Sequence, residues 1–72
     1  MQKNELHKNL SEKIRISIED HHGHKFCCIQ VYAKNNKGKW TPTQNRINIK
    51  PDLLGDVIEE LIAVSERLEG LS

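Results

Sequence analysis

Six cations and no carboxylate stand between Gly23 and Lys50: Lys25, Lys34, Lys37, Lys39, Arg46 and Lys50. The acids collect in the first twenty residues and in the last third of the chain. Such a division suits a protein with one face toward an anion and another toward water or a partner. The total is balanced, eleven Lys/Arg against ten Asp/Glu, for a net charge of +1. A strongly basic field over the whole chain is therefore excluded, and any anion recognition must be local.

Other chemistry finds less support. His21, His22 and His24, with Cys27 and Cys28, are metal-ligand residue types. Their spacing is not that of a zinc site, and strand alternation would scatter them over two faces, so no metal is expected. The adjacent cysteines point opposite ways on a strand and do not form a secreted disulfide framework. A reducing, cytoplasmic setting is the expectation, nucleoid-associated in a bacterium. A cysteine nucleophile needs an exposed, electropositive setting, and a buried strand thiol is the simpler reading. No glycine-rich phosphate loop, patterned nucleophile and base, or paired catalytic carboxylates occur, so neither an enzyme nor a cofactor is expected. Glu59 and Glu60 read as the solvated side of a helix. No apolar run is long enough for a signal peptide or a membrane span.

The elements that must position these residues follow from periodicity. Residues 1–12 read as a flexible N-terminal arm and residues 13–70 as one domain. Ile14, Ile16 and Ile18 alternate with Arg15, Ser17 and Glu19, predicting a strand over 13–19. Asp20-His21-His22-Gly23 reads as a hairpin turn. A second strand over 24–33 puts Cys27, Ile29 and Val31 on one face and Phe26, Cys28, Gln30 and Tyr32 on the other. After a turn at 34–38, a short strand over 39–41 is expected to stop at Pro42, and a fourth covers 46–49. Pro51 suits the first turn of a helix, and Asp52 suits its dipole. Leu54, Val57, Ile58, Leu61, Ile62, Ser65 and Leu68 keep helical spacing, with Gly70 as the expected stop.

A domain of 72 residues buries only about 60% of the surface its unfolded chain exposes. It needs exceptional packing, a staple or a partner. The helix stripe, widened by Leu53 and Val64, exceeds what one small sheet can cover, so part of it is expected to meet another subunit.

The strand end "IQVYA", the turn and strand "GKWTPT", the strand "INI" and the Pro51 helix start stand in one order and spacing. Together they resemble the transcriptional coactivator family of positive cofactor four, in its bacterial and phage form. The resemblance runs from about Ile14 to Leu68. It implies an α+β fold, a four-stranded curved antiparallel sheet followed by one C-terminal helix, assembled as a homodimer. It also implies single-stranded DNA on the concave strand faces, with little sequence preference.

Carried over residue by residue, the resemblance places contacts at His21, His22 and His24 in the hairpin and at Gln30 in the second strand. Further contacts fall on Thr41, Gln44, Asn45 and Arg46. The family's usual hairpin has an aromatic and lysines, its second strand an arginine, and a basic pair with glycine precedes its last strand. Here those places hold histidines, Gln30 and Gln44-Asn45-Arg46, and Ala33 replaces an aromatic often found after the tyrosine. Trp40, His21 and Tyr32 are the flat surfaces for bases. Lys39 and Arg46 are the cations for phosphates. Histidines in place of lysines would make binding depend on pH. Trp40 would serve equally as a core or dimer anchor, and Lys34, Lys37 and Lys39 as a solvated turn. The expected partners are a second copy, single-stranded or melted DNA or RNA, and transcription proteins. The rival reading is a protein-interaction dimer that keeps the fold without nucleic-acid binding.

Overall fold

The computed structural model describes residues 4–71. Its element order is β1 (Asn4–His7), β2 (Glu12–His21), β3 (His24–Lys34), β4 (Trp40–Ile49) and α1 (Pro51–Leu71). The strands form one antiparallel sheet in the order β1-β2-β3-β4, followed by the helix. The expected architecture is therefore present, but its strands are differently composed.

The first correction concerns the N-terminal arm. Asn4–His7 pairs with β2 from Asn4 opposite Ile16 to His7 opposite Lys13, making β1 an edge strand. Its short polar run carries no alternation, so only the partner strand makes it β. The return is closed by Asn9, whose Oδ1 accepts from the Ser11 N–H at 2.9 Å and whose Nδ2 donates to Glu12 at 3.0 Å.

The second correction concerns Pro42. The two short strands expected around it are one strand, β4, because β4 is a sheet edge and edges tolerate a missing N–H. Pro42 lies opposite Tyr32 and Arg46 opposite Gln30, so Thr43, Gln44 and Asn45 bulge out against Val31. Side chains secure the bulge. Thr43 Oγ1 donates to the Val31 carbonyl at 2.8 Å, and Gln30 Nε2 donates to the Thr43 carbonyl at 3.1 Å.

The β2–β3 hairpin closes through two residues with positive φ, His22 at 54° and Gly23 at 82°. Two such residues make the turn whose twist matches the strands it joins. Asp20 Oδ1 accepts from the Gly23 N–H at 3.0 Å. At the other end Asn35 Oδ1 accepts from the N–H groups of Lys37 and Lys39, both at 2.9 Å, and Gly38 supplies φ 78°.

Lys50 begins the helix, its carbonyl accepting from the N–H groups of Leu53 and Leu54 at 3.0 Å. The helix continues through Gly70 to Leu71 rather than stopping near Leu68. A mid-helix glycine costs only about 1 kcal/mol, too little to end a helix of this length.

Register sorts the sheet into two faces. Ile14 pairs with Val31, Ile16 with Ile29 and Ile18 with Cys27, and β4 adds Ile47 and Ile49 to this apolar face. The helix packs on β3, yet no residue of it is buried. Among the described residues the buried set is Cys28, Ile49 and Lys13, at 2%, 3% and 8% exposure. The accessible surface is 6191 Å², against roughly 4600 Å² for a compact monomer of this mass. The radius of gyration is 14.5 Å, against roughly 11 Å for a compact chain of this length. The fold opens its apolar surface instead of closing on it.

Candidate nucleic-acid interface

The opposite face of the sheet is polar and aromatic. Its rows run across the strands: His7, Lys13, Tyr32 and Pro42, then Glu5, Arg15, Gln30 and Arg46, then Ser17, Cys28 and Asn48. Glu19 opposite Phe26 and His21 opposite His24 complete it toward the hairpin. Lys34 and Trp40 pair at the other end.

Each large ring at that end carries a cation. Lys13 Nζ lies 4.7 Å and Lys34 Nζ 5.2 Å from the Trp40 ring centroid, and Arg15 Cζ lies 4.4 Å from that of Tyr32. Arg15 also donates to the Tyr32 hydroxyl at 3.2 Å, and the His7 ring meets Trp40 edge-on at 6.0 Å. Glu5 ties the group together. It accepts from Arg15 Nε at 2.9 Å and from Lys13 Nζ at 3.2 Å. Those bonds, Arg15's first and Lys13's second, hold the Glu5 carboxyl below its ordinary pKa against a smaller opposing effect of desolvation.

The centre belongs to Arg46. Its Nη2 donates to Asn48 Oδ1 and to Cys28 Sγ, both at 3.1 Å, and reaches Glu19 at 3.5 Å. Toward the hairpin, Glu19, Asp20, His21, Phe26, Arg46 and Asn48 line an open hollow of about 510 Å³. The arrangement can hold an extended polyanion: flat surfaces at one end, a guanidinium at the centre and imidazoles at the other.

Of the residues expected at the site, the polar face brings together His21, His24, Gln30, Trp40 and Arg46. His22 sits at the hairpin tip, its ring 4.3 Å from that of His21. Gln44 and Asn45 lie in the bulge at the sheet edge, and Lys39 lies in the turn before β4. Thr41 alternates away from this face, and its hydroxyl donates to the Ala33 carbonyl at 3.2 Å. Sequence reasoning missed Lys13, Arg15, Lys34, His7 and Phe26. Alternation beside Ile14 and Ile16 would have found Lys13 and Arg15. His7 was hidden because nothing in its own segment marks a strand.

Among the described residues, no three metal-ligating side chains come together, and no helix is long and apolar enough to cross a membrane. Cys27 and Cys28 are free and fall on opposite faces.

No protein-family model and no curated protein matches the chain. Solved structures do. A PC4 homologue from Burkholderia pseudomallei superposes in its tetragonal crystal form with a TM-score of 0.81 and 28% identity, over 89% of this chain and 96% of that one. Its orthorhombic form gives 0.79 and 29% identity, over 86% and 84%. The chain shares the fold of this PC4 homologue. A bacteriophage T5 homologue of the eukaryotic transcription coactivator PC4, implicated in recombination-dependent DNA replication, shares the fold. It is 19% identical with a TM-score of 0.66, over 97% of this chain and 85% of that one.

Gln30 occupies the place where the resemblance implies an arginine. Here the guanidinium stands directly across the ladder, on β4 instead of β3.

Proposed function

We propose that the chain is a homodimeric, non-catalytic single-stranded DNA-binding protein that acts as a transcription coactivator-like factor. The observation that carries this reading is the polar sheet face, where Trp40 and Tyr32 alternate with Lys13, Arg15, Lys34 and Arg46. Stacking surfaces beside backbone cations are what sequence-tolerant single-strand binding requires. The likeness to PC4 homologues supports it. RNA fits the same chemistry.

The exposed surface supports the homodimer. The excess of exposed area over a compact monomer exceeds the roughly 800 Å² per partner of a standard interface. Much of it is apolar: Ile18 and Ile47 on the sheet, and Leu61, Ile62 and Leu68 on the helix, are each about half exposed or more.

Fluorescence anisotropy of a labelled single-stranded oligonucleotide, at low and moderate salt with a duplex control, tests the reading. Salt-sensitive preference for the single strand is expected. Absence of binding at low salt would move the assignment to a protein-interaction dimer. That second reading is favoured by Glu5 and Glu19, which already engage three of the cations. Substituting Lys39 and Arg46 together separates the two, since only the first loses an activity while the dimer persists.

A further inference from the structure

Lys13 and Arg15 lie outside the contacts implied by family resemblance, yet each is held by a carboxylate and an aromatic ring. They stand two residues apart on β2 and point to the same face. One carboxylate serves both, Oε1 of Glu5 bonding Lys13 and Oε2 bonding Arg15. A phosphodiester presents the same feature, two anionic oxygens on one centre. We propose that Lys13 and Arg15 form a backbone-phosphate subsite for single-stranded DNA, held shut by Glu5 until a phosphate takes its place. The proposal rests on the single-strand reading above and adds a site and its gate.

Three observations support displacement. Glu5 sits on β1, a four-residue edge strand whose residues are all exposed, so its attachment is the weakest in the sheet. The Arg15–Glu5 pair is partly open to solvent and therefore weak enough for a polyanion to replace, while Lys13 is the covered member of the group, under Glu5 and against Trp40. Each cation also lies against a ring, Lys13 on Trp40 and Arg15 on Tyr32. A phosphate that draws the cations toward solvent would bare the ring faces for bases, so phosphate capture and stacking would favour each other.

The exchange has a distinctive salt signature. In the wild-type chain a phosphate displaces Glu5, which then recruits a cation from solution, so little net counterion release comes from this subsite. With Glu5→Gln no carboxylate returns to solvent, and each phosphate contact adds about 0.7 to the slope of log affinity against log salt.

The experiment compares wild type, E5Q, E5Q combined with Arg15→Gln, and Glu59→Gln, using anisotropy of a labelled oligothymidylate across a salt series. Glu59 lies on α1, outside the strands that form the polar face, and changes the net charge equally. The expected result is about three- to tenfold tighter binding by E5Q at low salt, with a steeper slope. E59Q should bind like wild type, and adding R15Q should abolish the gain. Should E5Q lose the far-UV circular dichroism of the fold, Glu5→Asp, which keeps the charge but withdraws it by one methylene, should give a smaller gain. Binding by wild type with no gain in the Glu5 variant, an equal gain in E59Q, or a gain that survives R15Q overturns the gate alone. No binding by wild type or any variant overturns the single-strand reading itself, and the subsite with it.

Discussion

Arg46 stands directly opposite Gln30, and its guanidinium is held over the middle of the sheet by Cys28 Sγ and Asn48 Oδ1, both at 3.1 Å. The central cation of the face therefore comes from the outer strand, and the residue across from it is neutral. Two arginines directly opposite would repel each other, and Gln30 also stands opposite Arg15, so the charge sits at less cost on β4 than on β3.

Arg46→Gln is thus expected to weaken single-strand binding several-fold and to lower the salt slope by about 0.7. Moving the charge, with Gln30→Arg added to R46Q, should recover part of both, limited by Arg15 directly across from position 30. Anisotropy titrations of the two variants measure this. A double variant no better than R46Q would mean that Arg46 acts through its hold on Cys28 and Asn48, not as a ligand for phosphate.

The legible part of this fold was the part with its own periodicity. Ile14, Ile16 and Ile18 marked β2 without help, and the Leu54–Leu68 spacing with Pro51 marked the helix. What stayed hidden depended on neighbours. Asn4–His7 becomes a strand only because β2 offers an edge, and β4 passes Pro42 only because nothing lies beyond it. The site divided the same way. His21, Gln30, Trp40 and Arg46, expected together from residue type and resemblance, fall on the polar face. Lys13 and Arg15 carry no mark of a site in the sequence, because it is β1 and Trp40, both distant in the chain or silent in pattern, that close around them.

Trp40 is the chain's one tryptophan, so its fluorescence reports on the site alone. Trp40→Ala should cost about 1–3 kcal/mol of single-strand affinity, while Trp40→Phe keeps a stacking face and should lose less. Oligonucleotide titration of the wild type should change the Trp40 emission with the same midpoint as anisotropy. Equal losses in the two variants, accompanied by equal loss of thermal stability, would assign Trp40 to packing instead.

The exposed helix stripe makes a stability prediction. Leu61 and Leu68 are 58% and 61% exposed in the single chain. Leu61→Glu should convert a dimer into a monomer in sedimentation velocity and lower Tm. The wild-type Tm should rise with protein concentration, as mass action demands of an assembly coupled to folding. A wild-type chain that sediments as a monomer with a concentration-independent Tm would refute the dimer.

Glu5 also sets an acid-side dependence whose sign is fixed by its partners. Arg15 first, then Lys13, hold its carboxyl below the ordinary value of 4.5. A carboxyl depressed in the folded state adds stability that is present above the unfolded pKa and lost as pH falls through the folded one. Wild type should therefore have a higher Tm than E5Q at neutral pH, and the gap should begin to close below pH 4.5. It should vanish once the pH lies under the depressed value, where both residues are neutral. Thermal unfolding of the two proteins between about pH 7 and about pH 3 measures this. A gap that does not narrow with acid would show that the Lys13–Glu5–Arg15 bridge adds nothing to the fold, leaving β1 held by its backbone ladder alone.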